Sequence, residues 1–474
     1  MSKLEVESAY GTLQGERNGD CYVWKGIPYA KPPVGEYRYR PPLRPDGWSG
    51  IRQATRFGSA AVQPYARDQT SEDCLYLNVW SPGADGERRP VMVWFHGGGF
   101  TVGSGSDPVF DGTSFASRGD VVVVTVNYRL GIMGFLYLDE AGGDAYAASG
   151  NYGILDQIAA LEWVRDNIEA FGGDPGRITI FGESAGARSV GLLLSLPQAE
   201  GLFHQAIIQS GMITTYRSRQ DAVRITDDVL RKLGIGKQEV SKLRERPAAE
   251  LLEAAPPFGP HVGLEPTIDG VFLPDLPLAR IAEGCARHIP IMIGTNRHEI
   301  MPGFDPRWRG KTDEELMDIF AERVGPSFER ASSFYLDKYA GEPSLQHKLA
   351  HLLTYRDFVV PAVQLAQVQD RYHAKAWVYR FDYESNGFAT HGLELPFVFR
   401  NLRAPSAERI TGDIASKELL ADKMHQAWIA FARTGNPNWP SFTAEKRETM
   451  IFNVESGVEQ DPLSDERQLW ETCK

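Results

Sequence analysis

Only four cysteines punctuate the 474 residues, Cys21, Cys74, Cys285 and Cys473, and no two share a C-x-x-C spacing. That excludes a cysteine-built zinc site and a dense disulfide framework. Basic blocks are missing as well: 50 Lys and Arg face 62 Asp and Glu, a net charge of −12 with no long run of either sign. Such a distribution offers no patch for nucleic acid or a membrane surface, and the acidic excess serves solubility. Long apolar runs are also lacking, none approaching the ~20 residues of a membrane span. The opening MSKLEVESAYGTLQGE alternates like a strand and has no apolar core of a signal peptide. The expectation is a cytoplasmic protein, monomer or weak oligomer, with no nucleic-acid and no membrane partner.

What is present is ordinary and plentiful: 42% hydrophobic and 24% charged residues, enough for a large core. No internal repeat and no Ser/Gly linker divides the chain. ERRPVMVWFHGGGF (87–100) reads as a strand running into a glycine-rich loop, and DVVVVTVNYRLGIMGFL (120–136) holds an apolar run suited to a strand buried on both faces. NYGILDQIAALEWVRDNIEAFGG (151–173) has helical spacing and a Gly-Gly stop. HQAIIQSG (204–211), HIPIMIGTN (288–296) and AWVYRFDY (376–383) read as further strands, and KELLADKMHQAWIAFARTG (417–435) as a closing helix. Buried strands alternating with long helices predict one α/β domain over residues 1–474, built on a large, mostly parallel, doubly wound sheet. Between about 215 and 350 helices and loops dominate, which suggests a helical insertion placed as a lid or pocket wall.

The stretch FGGDPGRITIFGESAG (171–186) organises the rest. A β-branched, apolar run ends at Gly182, Ser184 follows, then Gly186, and a helical pattern begins. A serine at the apex of a strand–turn–helix sits in strained backbone, so its neighbours must lack bulk. The helix behind it aims free N–H groups and a positive dipole end at the place where an oxyanion would form. The spacing marks Ser184 as a nucleophile, against the plainer reading of a turn serine.

A serine hydroxyl needs a base, and the base needs a group that holds its tautomer. Among ten histidines, His347, His351 and His425 fall within helical patterns and His204 opens a buried strand. His391 instead follows strand 376–383 and the loop ESNGFAT, where loops at strand carboxyl ends carry chemistry. Glu299 stands just past strand 288–296, while the rival carboxylates Asp269 and Asp275 lie in a Pro/Gly-rich turn segment. The order serine, acid, histidine is that of an α/β-hydrolase. His96-Gly97-Gly98-Gly99 would supply oxyanion donors together with Ala185. The loop continues Phe100-Thr101-Val102 and not Gly-Lys-Ser/Thr, so it is not a Walker phosphate loop, and no G-x-G-x-x-G opens a helix there. Phe100 and Met212 either line an apolar pocket or pack in the core.

Four segments, EDCLYLNVWSP (72–82), HGGGF (96–100), FGGDPGRITIFGESAG and HGLELPFVF (391–399), resemble the type-B carboxylesterase family, and the likeness spans the whole chain. The resemblance implies Ser184 as nucleophile, His391 as base and Glu299 as acid, with Gly98, Gly99 and Ala185 as oxyanion donors. Ser210 matches a serine that hydrogen-bonds near the acid, although a structural role serves equally. Implied too is a carboxylesterase acting on small-molecule esters, short- to medium-chain or aryl, with no metal and no cofactor. A transacylase, amidase or carbamate hydrolase would use the same machinery, and a non-catalytic binding protein would share the fold. The family reads Asp-Glu-Gly where this chain reads His298-Glu299-Ile300. Secreted members pair the cysteine matching Cys74 with one shortly upstream, and here none lies between Cys21 and Cys74. The choline-binding aromatic of cholinesterases has no evident counterpart. The base reading sets the acid limb of activity near the ordinary imidazole pKa of about 6.5.

Overall fold

Strand alternation decides the architecture. In the computed structural model, which describes residues 4–65, 69–257, 263–303, 305–408 and 410–472, Val91, Val93 and Phe95 point to one face of a central sheet. Met92 and Trp94, between them, point to the other. Both faces are apolar, so both must be covered. Helices Tyr152–Asn167 and Ala185–Ser195 cover the first face through Ile154, Leu161, Val190 and Leu192. Helix Ile414–Thr434 covers the second through Met424, Trp428 and Phe431.

The sheet has eleven strands among the described residues. In chain order they are β1 (Glu16–Asn18), β2 (Cys21–Pro28), β3 (Tyr76–Ser81), β4 (Arg89–Phe95), β5 (Val122–Val126) and β6 (Gly173–Glu183). Then follow β7 (Gln205–Gln209), β8 (Ile291–Asn296), β9 (Ala376–Phe381), β10 (Glu448–Phe452) and β11 (Gly457–Gln460). Their spatial order is β11-β10-β9-β8-β7-β6-β4-β5-β3-β2-β1. Every pairing from β10 through β9, β8, β7, β6 and β4 to β5 is parallel. Antiparallel strands close both edges. Because β4, β6, β8 and β9 run the same way, the loops that leave them emerge on one edge of the sheet.

Two expectations change. The stretch 215–350 is not one helical insertion: β8, buried along its whole length, threads through it as a sheet strand between β7 and β9. The part before β8 packs into the main core through Leu230, Leu243, Leu251 and Ile281. The part after β8 has its own core of Trp308, Phe320, Tyr335 and Leu349, joined by Leu469 from the C-terminal helix Ser464–Thr472. Helix Ile414–Thr434 does not close the fold either, since β10 and β11 extend the sheet after it.

Cys21, Cys74 and Cys285 are free thiols, and Cys473 lies outside the described residues. No helix among the described residues is long and apolar enough to cross a membrane.

Candidate active site

β6 ends at Glu183, and Ser184 turns the chain with φ 55° and ψ −119° before helix Ala185–Ser195 begins. The turn is pinned on both sides: Ser184 N–H donates to Gln209 O of β7 (3.0 Å), and Arg188 N–H donates to Ser184 O (2.9 Å). A Cβ on Gly186 would lie 1.9 Å from Phe95 O, and one on Gly182 would lie 2.5 Å from the Gly186 carbonyl carbon. Both glycines are therefore steric necessities. Ser184 is left half-buried at the positive end of the helix.

The glycine loop that follows β4 lies against this turn. A Cβ on Gly97 would stand 3.1 Å from Ser184 Cβ, so the two segments touch through hydrogen alone. Gly98 (φ 107°) and Gly99 (φ 60°) take left-handed backbone, and Gly98 O accepts from Thr101 and Val102 N–H in a closed turn. His96 supports the loop from beneath: its ring stacks on Tyr128 at 4.5 Å, and its Nδ1 donates to Gly97 O (2.8 Å). Burial pulls the His96 pKa down to about 4.

Glu299 is buried past the end of β8, its Oε1 accepting from Asn296 N–H (2.6 Å). Its Oε2 accepts from His391 Nδ1 at 2.5 Å, which fixes the imidazole tautomer and leaves Nε2 facing the turn. Phe358, on a π-helical turn at Tyr355–Val359, packs edge-on against the His391 ring at 5.5 Å. The far side of the ring meets a second carboxylate, Glu183 Oε1, 3.1 Å from Nε2. That contact is one of charge, because Oε1 is not placed to accept along the ring N–H direction. A third carboxylate, Glu394, is buried behind, accepting from Gln209 Nε2 (3.2 Å) and Asn296 Nδ2 (2.7 Å).

These charges set the titration. Burial opposes an imidazolium at His391, but Glu183, Glu299 and Glu394 outweigh it and hold the ring above the ordinary histidine pKa. Burial pushes Glu183 up, and Glu394 and Glu299 add to that against the pull of His391. Sequence reasoning passed over both extra carboxylates. Their signals were on view: Glu183 precedes the candidate nucleophile, and Glu394 lies three residues past the candidate base.

The remaining candidates divide. Ser210 (φ 55°) donates its N–H to Gly294 O, but its buried hydroxyl has no hydrogen-bond partner among the described residues. It does not hold the acid; the backbone N–H of Asn296 does. Phe100 is fully buried, edge-on to Phe135 at 5.1 Å and beneath the Arg188 guanidinium, so its ring packs in the core. Met212 lies half-buried against the Trp308 cluster. Asp269 accepts from Val271 and Leu273 N–H, the turn role expected of it. Among the described residues no group of His, Cys, Asp and Glu is arranged to hold a metal.

Known proteins place the chain. The profile described as the carboxylesterase family matches residues 2–470. The chain is 41% identical to para-nitrobenzyl esterase of Bacillus subtilis (strain 168), covering 99% of this chain and 98% of that protein. It is 37% identical to fumonisin B1 esterase of Sphingopyxis macrogoltabida, over 96% of this chain and 87% of that one. Among solved structures, carboxylesterase EST55 of Geobacillus stearothermophilus superposes with a TM-score of 0.93 at 48% identity, covering 98% of this chain and all of that one.

Proposed function

From the premise that the chain belongs to the carboxylesterase family and is a carboxylic ester hydrolase, we propose that Ser184, His391 and Glu299 form its catalytic triad. The observation that carries the reading is the position of His391. Its Nδ1 is held by Glu299 at 2.5 Å, and its Nε2 lies 3.1 Å from the side chain of the residue that precedes Ser184.

In the proposed cycle Ser184 Oγ attacks the ester carbonyl carbon while His391 Nε2 takes its proton. Negative charge gathers on the carbonyl oxygen, facing the N–H groups of Gly98, Gly99 and Ala185. Each such donor contributes about 3 kcal/mol to the transition state. Collapse breaks the carbon–oxygen bond to the alcohol, which leaves with the proton from His391, and an acyl-serine remains. Water, deprotonated by His391, then attacks the acyl carbon, and the carboxylic acid leaves as Ser184 recovers its proton. Glu299 stays ionised throughout and stabilises the imidazolium. No metal or cofactor takes part.

We assign the substrate as a small ester with a short to medium acyl chain or an aryl alcohol. Met212 and the helices after β8 would form its pocket wall within a single domain. A burst of p-nitrophenol from p-nitrophenyl acetate, one equivalent per chain, tests the mechanism. Ser184→Ala should abolish it and lower kcat on the order of 10⁶-fold. A Ser184→Ala protein that keeps a tenth of the activity would end the proposal.

A further inference from the structure

His298, the residue before Glu299, is tied to the loop that carries His391. Its N–H donates to Ala389 O and its Nδ1 accepts from Ala389 N–H, both at 3.0 Å. His298 and Thr390 form an isolated parallel bridge. The next links follow in register: Asn296 Nδ2 donates to Thr390 O (2.7 Å), and His391 Nδ1 donates to Glu299 Oε2 (2.5 Å). Three consecutive residues, Ala389, Thr390 and His391, are thus each gripped by the segment Asn296–Glu299. In this set only the bond to His298 Nδ1 depends on a titratable acceptor that lies outside the triad.

We propose that His298 is a positioning residue for ester hydrolysis, its neutral imidazole accepting the Ala389 N–H and thereby holding the His391 loop in register with Glu299. The proposal rests on the reading of His391 as the base.

An imidazole can accept at Nδ1 only when that nitrogen carries no proton, so the neutral Nε2–H tautomer is required. The surroundings enforce it. His298 is buried, with Phe388 edge-on at 5.4 Å and His351 edge-on at 5.6 Å. Burial, then His351 and Arg297, disfavour the protonated form, while Asp382 and Glu342 act the other way, and the pKa is held down to about 4. Glu342 is engaged elsewhere, its Oε1 3.0 Å from His351 Nε2. The acceptor therefore persists over the range in which His391 works. Loss of the link would free the loop two residues before the base, and a displacement of about 1 Å there can cost on the order of 100-fold in rate.

Two substitutions separate positioning from packing. His298→Asn keeps an acceptor oxygen at about the reach of Nδ1, while His298→Leu keeps bulk and removes the acceptor. With p-nitrophenyl acetate, His298→Leu should lose about 10- to 100-fold in kcat with KM within about twofold, and His298→Asn should recover to within about threefold of the parent. Equal rates in the two variants, or an effect on KM alone, would overturn the proposal. Should His298→Leu fail to fold, ¹⁵N-histidine NMR of the parent decides: an unprotonated, hydrogen-bonded Nδ1 on His298 at pH 7 supports it, and a protonated Nδ1 refutes it. Ser184→Ala in parallel keeps the two ideas apart. An active Ser184→Ala removes the triad, whereas an inactive one beside a fully active His298→Leu removes only the role of His298.

Discussion

Glu183 and Glu299 hold His391 between them, one carboxylate 3.1 Å from Nε2 and the other 2.5 Å from Nδ1. The two acids do different things. Glu299 makes a directed hydrogen bond that sets the tautomer, whereas Glu183 contributes charge without an aligned bond. A simple triad has one acid, and its base would titrate near the ordinary imidazole value of about 6.5. Here Glu183 and Glu394 join Glu299 in a set of carboxylates that raises His391 above that value.

The first prediction concerns that set. A general base acts when neutral, so a raised His391 pKa makes activity disappear at a higher pH as the medium is acidified. The acid limb of kcat/KM should lie above about 6.5 in the parent protein. Glu183→Gln removes a negative charge beside Nε2, favours the neutral ring, and should move the limb down by on the order of one unit. A pH–rate series on p-nitrophenyl acetate reads the shift. A limb that stays put in Glu183→Gln would mean that Glu183 carries no charge when the base titrates.

Glu299→Gln makes a contrasting case. The amide keeps the size but offers a donor or a neutral acceptor to Nδ1, so the tautomer is no longer enforced and the imidazolium loses its counter-charge. We expect kcat to fall on the order of 10⁴-fold while KM stays within a few-fold. Steady-state kinetics with an active-site titration measure both, and a loss under tenfold would show that Glu299 is dispensable.

Much of this site was legible because its parts are short, rigid and local. The strand–turn–helix around Ser184 announces itself through Gly182 and Gly186, which the fold needs for steric reasons alone. Glu299 and His391 could be placed after strands because β8 and β9 are apolar runs that end abruptly. What stayed hidden was three-dimensional. Glu394 reaches the site only because Gln209 and Asn296, on two other strands, turn their amides toward it. Phe100 adjoins Gly98 and Gly99 in sequence, yet its φ of 57° swings the ring into the core against Phe135. The strand Glu448–Phe452 is too short to stand out after a long helix, and only pairing with β9 defines it.

The thiols yield a third prediction. Cys21 and Cys74 are buried and unpaired, and burial pushes the Cys74 thiol well up, so neither should react in the folded state. Reductant should therefore leave Tm unchanged. A thiol reagent should reach the exposed Cys285 before Cys21 or Cys74, although partial burial raises its thiol as well, and Cys285→Ser should remove that equivalent without affecting activity. A drop in Tm with reductant would reveal a disulfide and contradict the assignment.

The last prediction tests the turn as a piece of steric engineering. At Gly186 a methyl group would sit 1.9 Å from Phe95 O, a backbone atom at the end of the central strand β4 that cannot step aside. Gly457 is the natural control: its φ is not left-handed, and nothing lies within 4 Å of the place a methyl would take. Gly186→Ala must therefore push the helix Ala185–Ser195 away from β4 or distort the turn at Ser184, either of which unseats the proposed nucleophile. We expect Tm to fall by about 2 °C or more, as a destabilisation of about 2 kcal/mol or more would produce in a protein of this size, and the p-nitrophenol burst to disappear. Gly457→Ala should leave Tm the same or slightly higher, because it restricts only the unfolded chain. If both variants melt together with the parent, the close approach of Gly186 to β4 does not exist in solution, and the strained turn at Ser184 loses its cause.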